Sequence, residues 1–435
     1  MFLSGNLNNL KSLITYTVTY TILYIEISLK ENFNLFNFKS KLCPDLSDTL
    51  DKNIYKNIRI IICCKTLQQK IENKIKFYKG KILFSIDSIK CICAIVPASS
   101  INKLLEYPNI DYIFLDSYAF LCGKSVFSAN KIPLEKNYKL TGKNIGIGII
   151  DSGTYPHMDF ITPKNRISKF VDLVNHYKYP YDDNGHGTSV SGIICSNGYS
   201  SKGIYKGIAQ DSYLYCIKAF NNIGRGFISD ILYALSILIE DSDKFNIKVI
   251  CLPFEVLNNN KKLISLFNNL FSINISKNIT IIVPSGHNGN NFNSMKGIAL
   301  LDTCITVGGL NIDKEIKPYT NSSAGPNFKL NKPDVSAACV DIVSTNTNVN
   351  YISERNGRKL YPKILEEPYS NFTGTSYAAA YVAGLCALLY ENNSSLNLKD
   401  IKALLKVSSE LQDIPKDIQG HGILNLSKLL PNYLK

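Results

Sequence analysis

The sequence predicts an α/β protein in which a mostly parallel sheet is covered by helices on both faces, preceded by a small α+β domain. In the C-terminal two thirds, short runs of Ile, Val and Cys alternate with segments of helical periodicity. Such continuous apolar strands are buried on both faces of a parallel sheet. In the N-terminal third, six shorter segments follow the order β-α-β-β-α-β, which is the ferredoxin-like arrangement.

Length and composition allow a large core and argue against a nucleic-acid partner. The chain has 435 residues, of which 45% are apolar, enough for one large and one small domain. Its formal charge is +13, but the lysines are scattered among acidic residues instead of forming one basic face. We therefore expect no nucleic-acid binding.

Most of the twelve cysteines lie inside apolar runs. In such positions cysteine packs as a small apolar residue, which favours the cytoplasm or another reducing compartment, although secretion stays open. No cysteine spacing is typical of a metal site, and no metal ligand is nominated.

The chain divides into four segments. Residues 1–50 form an N-terminal extension, 51–120 the small domain, 121–141 a linker containing Gly123 and Pro133, and 142–430 the large domain. Within the extension, the apolar stretch 12–27 is interrupted by threonines and lacks a cleavage site, so we interpret it as a strand and expect no membrane partner.

The strands and helices of the small domain are predicted from the periodicity of its apolar residues. The predicted strands are 58–64, 81–86, 91–96 and 110–115, and the predicted helices are 66–76 and 99–106.

The large domain is predicted in the same way. Its strands are 145–150, 213–219, 247–252, 279–283 and 303–307, and its helices are 229–240, 262–273, 376–390 and 397–406.

Asp151 follows directly on the strand 145–150 and begins the sequence Asp-Ser-Gly. Functional side chains gather at the carboxyl ends of parallel strands, and a carboxylate there needs a hydrogen-bond partner. Taken alone, this aspartate fits a structural or helix-capping role equally well.

His186 lies between two glycines in the sequence Asn-Gly-His-Gly-Thr, followed by small residues. The glycines allow a sharp turn and a close approach, so the imidazole is expected at the start of a buried helix.

Ser376 lies in the sequence Gly-Thr-Ser-Tyr-Ala-Ala-Ala, which predicts a tightly packed helix with the serine in its first turn. The free backbone amides and the helix dipole there would stabilise a developing oxyanion. An ordinary N-cap serine is the alternative for this motif by itself.

Together the three motifs resemble those of the subtilisin family of serine peptidases, and the chain order Asp, His, Ser is the order found in that family. The resemblance covers residues 142–426 and includes Lys332-Pro333-Asp334-Val335. It implies a serine endopeptidase whose charge-relay triad is Asp151, His186 and Ser376. It also implies that the small domain is an inhibitor-type prodomain, a partner of the enzyme that self-processing removes.

Two segments depart from the family pattern. The family's oxyanion-hole asparagine follows an Ala-Ala-Gly run, whereas here the sequence is Pro284-Ser285-Gly286-His287-Asn288. A gapless match places His287 at that position, and Asn288 is the alternative.

The substrate-binding strand departs as well, because the family's Ser-Leu-Gly is replaced. We hypothesise that Glu255 favours basic substrate residues. The candidate substrate-binding residues are Leu252, Pro253, Phe254, Glu255 and Gly286.

Two hypotheses compete with the leading one, and they follow from these departures and from the N-terminal segment. A catalytically weakened pseudoprotease would bind a partner through the altered cleft, and a membrane-anchored processing enzyme would rest on residues 12–27. The leading hypothesis requires a polypeptide substrate and no cofactor; relatives bind structural calcium, but no acidic loop nominates ligands here.

Overall fold

The structure is a computed structural model that describes residues 41–116 and 129–430. Short gaps within these ranges fall at 54, 67, 87–89, 131–138, 258–259, 314 and 327–331. The chain forms two compact units, residues 1–121 and 122–435. The predicted strand at 12–27 lies outside the described residues.

The N-terminal unit contains four strands and three helices. Its elements are α1 (Pro44–Asp51), β1 (Asn57–Cys64), α2 (Gln68–Phe77), β2 (Lys81–Ile86), β3 (Cys91–Pro97), α3 (Ala98–Leu105) and β4 (Ile110–Leu115). The strands form an antiparallel sheet in the order β2-β3-β1-β4. Alternate residues of β1 are buried, as expected for a sheet covered on one face.

Helix α1 corrects the boundary set at residue 50 between the N-terminal extension and the small domain. Pro44 occupies the first turn, where its missing N–H costs nothing. Leu42 and Leu46 are buried in the core of the unit. The compact unit therefore begins before residue 51, inside the segment assigned to an extension.

The C-terminal unit is built on a mostly parallel sheet, as predicted. Within the described residues ten strands join it: β5 (Gly146–Asp151), β6 (Ile167–Asp172), β7 (Tyr213–Lys218), β8 (Ile247–Cys251), β9 (Thr280–Pro284), β10 (Ile305–Ile312), β11 (Ile316–Pro318), β12 (Val335–Ala338), β17 (Ser409–Glu410) and β18 (Ile423–Leu424). Their order in the sheet is β17-β18-β12-β10-β9-β8-β5-β7-β6, with β11 paired to β10.

Smaller ribbons and the helices complete this unit. The paired ribbons are β13 (Ile342–Thr345) with β16 (Tyr369–Phe372), and β14 (Glu354–Arg355) with β15 (Arg358–Lys359). The α-helices are α4 (Met158–Ile161), α5 (His186–Cys195), α6 (Ile228–Glu240), α7 (Lys261–Ser276), α8 (Thr375–Asn392), α9 (Leu398–Val407), α10 (Lys416–Gln419) and α11 (Leu426–Leu429).

Two apolar clusters cover the two faces of the large sheet. One joins α5 and α8 to alternate residues of β5, including Ile147 and Ile149. The other joins α6 and α7 to the opposite face, including Ile150 and Ile250. Helices on both faces explain why the strands are continuously apolar.

Strand β6 was not predicted from the sequence. It lies at the edge of the sheet beside β7, and Ser168 and Lys169 are exposed. An edge strand has no continuous apolar run, because part of it faces water.

Ten of the eleven described cysteines are buried and none of the eleven forms a disulfide, consistent with their use as small core residues. In the described part of the chain, no helix is both long and apolar enough to cross a bilayer.

Candidate active site

Asp151 is the last residue of β5, at the carboxyl end of the parallel sheet. Its side chain is 6% exposed, and the Ser152 N–H donates to its Oδ1 at 2.6 Å. The carboxylate therefore lies in a desolvated position where hydrogen bonds compensate for the loss of water.

His186 is the first residue of α5, as the flanking glycines predicted. Gly185 has φ +103°, which a side chain would disfavour. A Cβ at Gly187 would lie 2.1 Å from the Gly153 carbonyl oxygen, so only glycine lets the helix start approach β5 this closely.

The imidazole of His186 contacts the carboxylate of Asp151. Its Nδ1 lies 2.9 Å from Oδ1 and 2.8 Å from Oδ2. Burial opposes protonation of the ring, but the charges of Asp151 and Asp182 outweigh it, and the pKa of His186 is raised above its ordinary value. The imidazole is 32% exposed, so one side of the pair can be reached from solvent.

Asp182 organises the loop before His186 and was missed by the sequence analysis. It is fully buried and accepts hydrogen bonds from the Ser152 hydroxyl at 2.9 Å, the Gly185 N–H at 2.8 Å and the Thr188 N–H at 2.8 Å. These contacts tie the segment after Asp151 to the start of α5. Its place four residues before a histidine flanked by glycines was the available clue.

Lys218 is a second residue that the sequence analysis missed. Its ammonium is fully buried and donates to the Ser152 carbonyl at 2.6 Å, the Asp183 carboxylate at 2.6 Å and the Phe220 carbonyl at 2.9 Å. Since Ser152 follows Asp151 and Asp183 precedes His186, one buried cation connects the two loops that carry the pair. A lysine within an apolar strand was the clue in the sequence.

Ser376 is the second residue of α8, and residues 377–390 that follow it are buried. Its hydroxyl donates to the Pro253 carbonyl at 2.7 Å. The neighbouring Thr375 hydroxyl donates to the Gly286 carbonyl at 3.2 Å. The first turn of α8 thus contacts both segments that depart from the family pattern.

The candidate oxyanion residues differ in their contacts. The ring of His287 lies 5.7 Å from that of Tyr319, measured between centroids, and the residue is exposed. Asn288 is half-buried, and its side-chain amide donates to Glu255 Oε2 at 2.9 Å. The structure therefore directs the Asn288 amide, but not the His287 ring, toward the 253–255 segment.

The candidate substrate-binding residues separate into core and cleft. Leu252 is fully buried and belongs to the core, so its side chain lies outside the cleft. Pro253 and Phe254 line a cleft of about 210 Å³ together with Asp151 and His186. Glu255 lies against Gly286, where a Cβ would stand 2.6 Å from its Oε2.

The parallel sheet covered by helices and the contact between Asp151 and His186 at its carboxyl edge fit a serine hydrolase with a subtilisin-like fold. The profile of the Subtilase family matches residues 142–422. The chain belongs to the subtilase family and is a subtilisin-like serine endopeptidase.

Three relatives illustrate the similarity. "Serine protease AprX" of Bacillus subtilis is 29% identical over 370 residues, covering 81% of this chain and 82% of that protein. "Minor extracellular protease Epr" of the same organism is 26% identical, covering 66% of this chain and 38% of that protein. The structure of fervidolysin from Fervidobacterium pennivorans is 17% identical with a TM-score of 0.55, covering 88% of this chain and 62% of that one.

Metal ligands are not grouped at the site. Within the described ranges, no three His, Cys, Asp or Glu side chains are arranged to hold a metal ion. That catalysis needs no cofactor stays a prediction.

Proposed function

We propose that the chain hydrolyses peptide bonds of polypeptides through an acyl-enzyme on Ser376. The observation that carries the proposal is the Asp151–His186 contact at 2.8–2.9 Å. The cleft beside this pair is also lined by Pro253, whose carbonyl accepts a hydrogen bond from the Ser376 hydroxyl. The alternative of a binding protein without catalysis is not favoured by relatives that are named proteases.

The proton transfers would run through His186. Its Nε2 removes the Ser376 hydroxyl proton as Oγ attacks the substrate carbonyl, and Asp151 accepts the Nδ1–H and stabilises the imidazolium. His186 then gives the proton to the leaving amine, and water hydrolyses the ester by the same route. Before attack, the Ser376 hydroxyl must turn from the Pro253 carbonyl, its partner in the structure, toward His186.

The oxyanion would be stabilised at the start of α8. Backbone N–H groups in the first turn have no partner within the helix and carry the positive end of its dipole. A side-chain donor would complete the site. We favour Asn288 over His287, because its amide is directed toward the segment beside Ser376.

We further propose that the N-terminal unit is an inhibitory prodomain and that the linker after it is cut by the enzyme itself. The support is that this unit has its own apolar core and precedes the matched family region. A role outside the producing cell agrees with the name of the extracellular relative. The expectation of a cytoplasmic location therefore gains no support.

The experiment is a mass measurement on the purified protein beside its Ser376→Ala variant. We expect the wild type to lose an N-terminal piece of roughly 115–130 residues, because the cut should fall after β4 and before the matched region, while the variant stays full length. Equal masses for both proteins, combined with no cleavage of casein, would contradict the proposal.

A further inference from the structure

Two loops border the first turn of α8, and both are held by it. The Pro253 carbonyl accepts the Ser376 hydroxyl at 2.7 Å, and the Gly286 carbonyl accepts the Thr375 hydroxyl at 3.2 Å. The segment 253–255 and the turn 286–288 therefore lie next to the serine.

The carboxylate of Glu255 bridges these loops. Its Oε2 accepts the His287 N–H at 3.1 Å and the Asn288 side-chain amide at 2.9 Å. Gly286 makes room for the carboxylate, since a Cβ there would lie only 2.6 Å from Oε2. The Ser323 hydroxyl accepts the Asn288 N–H at 2.9 Å and supports the turn from the other side.

This contact has two consequences. An N–H that donates to a carboxylate is not available to an oxyanion, so Glu255 competes with the transition state for donors beside Ser376. Both donors are neutral, and in the described part of the chain no cationic side chain pairs with Glu255. Its negative charge therefore remains available to a cation from outside the protein.

We propose that Glu255 is a latch that selects substrates with a lysine or arginine beside the scissile bond. In the resting enzyme it holds the turn 286–288 through His287 and Asn288. A cationic substrate side chain forms an ion pair with the Glu255 carboxylate, and the Asn288 amide can then donate a hydrogen bond to the oxyanion. The inference rests on the proposed function, because it assigns the substrate class of the same site.

The test uses the full chain and separates the charge of Glu255 from its hydrogen bonds. Glu255→Gln keeps an oxygen that can accept from the Asn288 amide but removes the charge, and Glu255→Ala removes both. Glu240→Ala, at an exposed position on α6, is the matched control. Each protein is assayed with two peptides that differ only by Lys or norleucine before the scissile bond.

We expect the wild type and the control to prefer the lysine peptide by about 10- to 100-fold in kcat/KM, the effect of one charge-assisted contact. Glu255→Gln lowers this ratio to about one without accelerating the norleucine peptide. Glu255→Ala also loses the preference but cleaves the norleucine peptide several-fold faster than wild type, because the donors are freed.

Two results would overturn the proposal while leaving the proposed function intact. An unchanged lysine-to-norleucine ratio in Glu255→Gln would remove the specificity role. A slower norleucine reaction in Glu255→Ala would show that Glu255 supports the turn instead of restraining it. Should that variant not fold, the isosteric glutamine variant still decides the specificity. If neither peptide is cleaved and a fluorophosphonate does not label Ser376 in any of the proteins, the proposed function itself fails.

Discussion

The two halves of the candidate site are held in different ways. Asp151 and His186 stand on a strand end and a helix start, joined beneath by the buried Asp182 and Lys218. The turn 286–288 and the segment 253–255 are joined by Glu255, which is only half-buried. Asp151 and His186, which transfer the proton, are preorganised by regular structure. The two loops that would face the substrate can rearrange, because only a few hydrogen bonds between them have to break.

Removing the carboxylate from the preorganised half should have the largest effect. We expect Asp151→Asn to lower kcat by about 10⁴-fold, since the imidazole loses its orienting acceptor and the stabilisation of its cation. Steady-state peptide hydrolysis measures this, with the exposed Asp211→Asn as control. Similar rates in the two variants would mean that the Asp151–His186 contact is structural only.

Lys218 tests whether the same half depends on its buried network. Lys218→Met leaves the Ser152 carbonyl and the Asp183 carboxylate without their donor, so the free energy of unfolding should fall by about 2–5 kcal/mol. Lys169→Met, at an exposed position on the edge strand, should change it by less than about 0.5 kcal/mol. Denaturant unfolding followed by circular dichroism compares the two, and equal midpoints would refute the role of Lys218.

The less rigid half is tested by its two candidate donors. We expect Asn288→Ala to lower kcat by about 10²- to 10³-fold, the usual loss for one oxyanion donor, and His287→Ala to change it only a few-fold. The reverse result would assign the oxyanion to His287 and support the gapless match to the family motif. Comparing kcat with KM separates this loss from weaker substrate binding.

The smallest effect concerns pH. The raised pKa of His186 means that the ring is protonated, and cannot act as a base, up to a higher pH than an ordinary histidine. Activity should therefore fall with decreasing pH along a limb set above the ordinary histidine value. In Asp151→Asn the limb should move to lower pH, and an unmoved limb would show that the carboxylate does not control this pKa.

The sequence predicted what depends on local pattern. Strand β5 was expected at 145–150 and is Gly146–Asp151, and helix α8 was expected at 376–390 and is Thr375–Asn392. Continuous apolar runs and helices of small residues can be predicted from the sequence because burial constrains the residue type at every position. The three motif residues were selected in the same way, by their places at a strand end and at two helix starts.

What could not be predicted depends on pairings distant in the sequence. Glu255 and Asn288 are 33 residues apart, and no periodicity links the loops that carry them. Asp182 and Lys218 stand out in the sequence by their positions, but their partners lie in other segments of the chain and no local pattern identifies them. Edge strand β6 was missed because solvent exposure removed its apolar run.

The most direct test of the account is the site and rate of labelling by a fluorophosphonate in the wild type and in His186→Ala. The account predicts one adduct, on Ser376, formed by the folded wild type and slowed by about 10⁴- to 10⁶-fold in the variant. Equal labelling in both proteins, or an adduct on another serine, would contradict a mechanism in which His186 activates Ser376.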